Sequence, residues 1–90
     1  YLLTDTSNGK MYVGSASGEE MILNRWKSYI ISGHGGNKEL KLLSFEHIKQ
    51  YFRFSILDIF KSTTDRQQII DREIWWKEVL QTRKFGYNSN

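Results

Sequence analysis

Phe52, Phe54 and Ile56 alternate with Arg53 and Ser55, the period of a strand with one buried face. They mark Tyr51 to Ile59 as the clearest strand of the chain. An earlier pair of strands is predicted at the start, from Tyr1 to about Asp5 and from Lys10 through Ser15. Thr6-Ser7-Asn8-Gly9 joins them, because Asn-Gly accepts the positive φ that tight hairpin turns demand. Helical spacing takes over from Glu19 to Ile31, where Ile22, Trp26, Tyr29 and Ile30 recur at i, i+4, i+7 and i+8. Glu19 and Glu20 suit the positive end of that helix, and Ser32-Gly33-His34-Gly35-Gly36 ends it. A shorter helix is predicted from Asn37 through Leu43, extending toward His47, with Leu40 and Leu43 inward. A long last helix starts among the N-cap types Ser62-Thr63-Thr64-Asp65 and reaches about Arg83. Gly86 lies past its end, before a polar tail. The order β-β-α-α-β-α predicts an α+β fold, a three-stranded and mainly antiparallel sheet packed against helices.

One residue breaks the pattern of the last helix. At about 100° per residue, Ile69, Trp76 and Leu80 share a narrow arc, and Glu73 falls inside it. Asp71 and Glu78 lie round toward the opposite side. A carboxylate among core-facing residues is costly to ionise unless paired, hydrogen-bonded or bound to a cation. Viewed alone, the helix favours a Glu that snorkels to the rim or pairs with a core-edge Arg. On the first helix, Arg25 flanks the apolar arc beside Tyr29; alone, it reads as a solvated Arg at the edge of a core stripe.

Composition narrows the classes. Ninety residues, 39% hydrophobic and 14% aromatic, suffice for one small core and argue against disorder. No apolar run approaches the roughly 20 residues that span a bilayer, so a soluble domain with no membrane partner is expected. The absence of cysteine excludes disulfides and thiolate zinc sites, and two histidines disfavour a structural zinc. Lys and Arg outnumber Asp and Glu by 13 to 10, for a net charge of +3, which points weakly toward a polyanion.

Tyr1 and Tyr12 stand on the two strands of the predicted hairpin, the second within Tyr12-Val13-Gly14. Arg25, Tyr29 and Glu73 follow in order, and Asn88 ends a Gly86-Tyr87-Asn88 run. This set resembles the GIY-YIG nuclease family, closest in feel to phage-type homing endonucleases and related mobile-element enzymes. In that family Gly-Ile-Tyr and Tyr-Ile-Gly strands pair, an Arg lies on the first helix with a His or Tyr four residues on, and a Glu lies on a later helix. Asn37 fits the slot on the short helix where a His or Asn stands, better than His34 does. Val13 replaces Ile, and the Gly and Ile before Tyr1 are absent, so the chain reads as one domain, residues 1–90, excised from a longer protein.

The resemblance implies a DNA endonuclease leaving 5′-phosphate and 3′-hydroxyl ends, with Mg²⁺ or Mn²⁺ held by Glu73 in a single-metal mechanism. It assigns Tyr1 to activating or positioning the water, Tyr12 and Tyr29 to the surrounding hydrogen bonds, and Arg25 to the scissile phosphate. Phenol is a poor base at neutral pH, so Arg25 or the metal has to activate it. Asn88 is expected to orient phosphate or the Glu73 region. Lys10, Lys27, Asn37, Lys38 and Lys41 are candidates for the DNA backbone, though such lysines are commonly plain surface. No second carboxylate is expected beside Glu73. A separate DNA-recognition domain and an intracellular, cytoplasmic setting complete the expectation. The rival readings are a non-catalytic nucleic-acid-binding module of the same fold and a purely protein-binding domain.

Overall fold

The computed structural model describes residues 1–15, 24, 40, 43–61 and 63–89. Strands β1 (Leu2–Asp5) and β2 (Met11–Val13) form the opening hairpin. Helix α1 (Phe45–Tyr51) runs directly into β3 (Phe52–Ser55), and α2 (Arg66–Leu80) and α3 (Thr82–Phe85) follow. The sheet order is β2-β1-β3 with both pairings antiparallel, as the α+β reading predicts. The expected helix over Glu19–Ile31 falls outside the described residues, except for Asn24, which is helical.

The hairpin turns as its sequence demands, but through a longer loop. Gly9 and Asn8 donate to the Asp5 carbonyl at 2.8 and 3.3 Å, and Asp5 N–H donates to Lys10 O at 2.9 Å. Gly9 takes the positive φ of 80°, which a side chain resists. Beyond β2, Tyr1 N donates to Gly14 O (2.8 Å) and Gly14 N to Tyr1 O (3.0 Å), carrying the ladder to the Tyr1–Gly14 pair.

Strand parity sets the core. Leu3 pairs with Tyr12 on one side and Phe54 on the other, so all three point to one face. Tyr1, Leu3, Leu40, Ile48, Phe52 and Tyr87 form the buried cluster, with Tyr12, Leu43 and Phe54 packed against it. The same parity drives Asp5 inward, fully buried beside the apolar residues.

Three boundaries differ from expectation. The stretch expected as one short helix is divided: Leu40 lies in a 3₁₀ turn and Leu43 in a bend, and a further helix begins at Phe45, where Ser44 Oγ caps it by accepting from His47 N–H at 3.1 Å. Residues 37–39 and 41–42 lie outside the described residues. Tyr51 is the last helical residue, its carbonyl accepting from Thr6 N–H at 3.0 Å, and Phe52 is the first of the strand, paired with Asp5. Ile56, expected inward, is 52% exposed, since the ladder ends at Ser55.

The last helix does not run unbroken to Arg83. Gln81 adopts a left-handed conformation (φ 51°, ψ 41°) that separates α2 from α3. That residue carries a cost of roughly 1–2 kcal/mol, offset by what the turn makes possible. Tyr87 N–H then donates to Met11 O at 2.8 Å and Asn88 N–H to Thr82 O at 3.1 Å. Gly86 is needed here for closeness: a Cβ would collide with the Met11 and Thr82 carbonyls.

Candidate active site

An open cleft lies where the end of the hairpin meets the loop after β3 and one flank of α2. Tyr1, Gly14, Ser15, Asp58, Arg72, Glu73 and Trp76 line it, with Ile56, Phe60 and Ile69 among its apolar walls. Tyr1 stacks on Phe54 with ring centroids 5.3 Å apart and lies 6.4 Å from the Tyr12 ring. Gly14 makes room for it, since a Cβ there would stand no more than 2.8 Å from three atoms of the Tyr1 ring and hydroxyl. The second glycine of the hairpin is thus a seat for the first tyrosine.

Glu73 reaches this cleft with its side chain 22% exposed. Ser15 Oγ donates to Oε2 at 2.9 Å, and Lys77 Nζ stands 3.3 Å from Oε1, one helical turn on. The core-facing carboxylate is therefore paired, though by a lysine of its own helix rather than by an arginine. Across the cleft, Asp58 Oδ2 accepts from Trp76 Nε1 at 2.6 Å and from Arg72 Nε at 2.8 Å. The Trp76 bond, then the Arg72 bond, hold the Asp58 carboxyl below its ordinary pKa. Arg72 also stacks over Trp75, its guanidinium carbon 4.2 Å from the ring centroid.

A second polar cluster sits at the other end of β1. Asp5 Oδ1 accepts from Ser7 Oγ (2.6 Å) and Ser7 N (3.0 Å), and Oδ2 from Tyr87 Oη (2.6 Å) and His47 Nε2 (2.7 Å). Burial alone would raise the Asp5 pKa, but the bonds from Ser7, Tyr87 and His47 outweigh it and bring the value to about 2. Burial pushes the Tyr87 phenol upward, with Asn8 opposing and Asp5 adding to the shift, so Tyr87 remains a donor.

The family model for the GIY-YIG catalytic domain matches residues 1–88. The chain belongs to the GIY-YIG family. Intron-associated endonuclease 1 of Enterobacteria phage T4 is 34% identical over 90 residues, covering 98% of this chain. The chain spans 35% of that relative's own length. No solved structure matches.

The GIY-YIG domain brings Tyr1 and Glu73 to one cleft, with Tyr12 beside Tyr1. It does not bring every candidate there. Lys10 lies at the far end of the hairpin, 5.6 Å from the Tyr87 ring centroid. Asn88 is buried and clamps the outer edge of β2: Val13 N donates to its Oδ1 (2.8 Å), and its Nδ2 donates to Val13 O (2.9 Å). Arg25, Lys27, Tyr29, Asn37, Lys38 and Lys41 lie outside the described residues. A second carboxylate, Asp58, does share the cleft, contrary to expectation, with one oxygen committed to Arg72 and Trp76. Ser15, Asp58, Arg72 and Lys77 went unread in the sequence. Only Lys77 carried a local signal, a Glu-to-Lys pair at i, i+4.

Proposed function

We propose that this GIY-YIG domain hydrolyses DNA phosphodiesters with the aid of a divalent cation, leaving 5′-phosphate and 3′-hydroxyl ends. The observation that carries the reading is the Glu73 carboxylate opening on the same cleft as the Tyr1 ring. Among the described residues no group of three His, Cys, Asp or Glu could cage a metal. The donor set suits a hydrated ion held by one carboxylate, the habit of Mg²⁺, rather than a fully protein-ligated one. Glu73 would hold Mg²⁺ or Mn²⁺, which supplies Lewis-acid stabilisation of phosphate charge and acidifies bound water. Tyr1 directs its hydroxyl to the attacking water, and Tyr12 and Tyr29 support the hydrogen bonds around it. Arg25 engages the scissile phosphate through its planar donors. Lys27, Asn37 and Lys38 contact the DNA backbone. Lys10 contacts it only where the strand reaches the far end of the hairpin, and Asn88 serves the site by fixing the β2 edge that carries Tyr12.

The isolated domain cuts with weak sequence selectivity, and a separate DNA-recognition domain in the full-length protein supplies the target. Among the described residues no helix is long and apolar enough to cross a membrane, and an intracellular setting follows from a DNA substrate. Nicking of supercoiled plasmid with Mg²⁺ tests the reading in wild type, Glu73→Ala and Arg25→Ala. Loss of cutting in both variants, with salt-dependent DNA binding retained, supports the nuclease. Cutting that survives equally in both overturns it, and binding without any cutting favours a non-catalytic DNA-binding module.

A further inference from the structure

The Glu73 carboxylate already has a cation of the protein beside it. Lys77 is 6% exposed, on a helix where a lysine normally extends its ammonium to water. Burying an ammonium is costly unless an anion compensates it. Glu73 Oε1 is 3.3 Å away, while Ser15 holds the other oxygen at 2.9 Å. Both oxygens of the cleft carboxylate are thus engaged, one of them by a positive charge.

We propose that Lys77 is the resident counter-cation of Glu73, a positioning residue that keeps the carboxylate oriented and competes with divalent ions for Oε1. The inference rests on the reading of Glu73 as the divalent-ion carboxylate. A metal at Oε1 and an ammonium within a few ångströms repel each other, so occupancy requires Lys77 to yield or share that oxygen. Among the described side chains that line the cleft, Asp58 and Arg72 are paired with each other. Lys77 therefore weakens divalent binding and raises the metal concentration at which the domain becomes active.

Mn²⁺ binding, read by electron paramagnetic resonance on the metal-free protein, tests this in wild type, Lys77→Met, Lys77→Arg and Glu73→Gln. Lys77→Met keeps the apolar stem without the charge and is expected to bind about tenfold more tightly. The half-saturating Mg²⁺ for plasmid nicking should fall in parallel. Lys77→Arg, which keeps the charge, should stay within about twofold of wild type. Unchanged or weaker binding in Lys77→Met, or equal tightening in Lys77→Arg, overturns the proposal. Glu73→Gln separates the two levels: if it binds Mn²⁺ like wild type, the assignment of Glu73 itself fails. Should Lys77→Met not fold, the wild type still decides. The Lys77 side-chain ¹⁵N resonance should move during a Mg²⁺ titration with the midpoint seen in nicking, and a resonance that stays put overturns the proposal.

Discussion

Asp5 and Glu73 are both carboxylates that strand or helix parity turns toward the apolar side, yet they meet opposite fates. Asp5 is fully buried, and both its oxygens accept two hydrogen bonds each, from Ser7, Tyr87 and His47. Those bonds join the hairpin turn, α1 and the C-terminal tail, elements far apart in sequence. Glu73 has one bond and one ion pair, and it faces an open cleft. A carboxylate with every lone pair engaged from all sides holds a fold together and has nothing left to offer a ligand. One held from behind and open in front can exchange partners, which chemistry requires. Burial alone does not distinguish structure from function here; the completeness of the hydrogen-bonding does.

Removing each carboxylate should separate the two roles. Asp5→Ala strands the donors of Ser7, Tyr87 and His47 and is expected to destabilise the domain by about 3–5 kcal/mol. Urea denaturation measures this; a loss below about 1 kcal/mol would place Asp5 outside the framework. Glu73→Gln should show the reverse profile, with plasmid nicking reduced on the order of 100-fold and stability lowered by only about 1–2 kcal/mol. A variant that nicks normally would erase the contrast.

Acid provides a subtler probe. Folding depresses the Asp5 pKa from 3.8 to about 2, so its contribution is complete above the ordinary value and is lost as pH falls through about 2. The linkage amounts to about 2–3 kcal/mol. Thermal melts between pH 5 and pH 2 should show it, and the same melts on Asp5→Asn should show a flatter decline. A comparable decline in both proteins would assign acid lability elsewhere.

Smaller effects are expected at the supports of each cluster. Gly14→Ala forces a Cβ against the Tyr1 ring and should cost about 1–3 kcal/mol, with nicking falling further than stability because Tyr1 is displaced. Asn88→Ala removes the two bonds to Val13 and should cost about 1–2 kcal/mol. Its remaining folded fraction should cut at a near wild-type rate; a specific activity loss as large as that of Glu73→Gln would restore Asn88 to the phosphate site.

Much of this division was legible in the chain. The arc of α2 singled out Glu73 from Ile69, Trp76 and Leu80 alone, and the hairpin signal placed Tyr1 and Tyr12 on paired strands. The inward parity of Asp5 was readable too, two positions after Leu3, but an Asp before a turn reads first as a turn residue. Asp58 and Arg72 had no such signal. They meet across the loop between β3 and α2, and only the path of that loop sets their 2.8 Å contact. The break at Gln81 was equally silent, because glutamine is an ordinary helix former that takes a left-handed conformation only where the fold compels it.

By itself, then, the sequence determined the periodic elements, the paired tyrosines and the misplaced carboxylate, because strand and helix periods are local geometry carried by neighbouring residues. Tertiary structure decided which long-range partners the polar groups would find. Asp5 closed its shell with Ser7 of its own turn and with His47 and Tyr87 from two distant segments, and Glu73, beside its helical neighbour Lys77, met Ser15 at the mouth of a cleft. Hydrogen bonds and ion pairs act over a few ångströms and depend on which segments meet, so chain proximity does not foretell them.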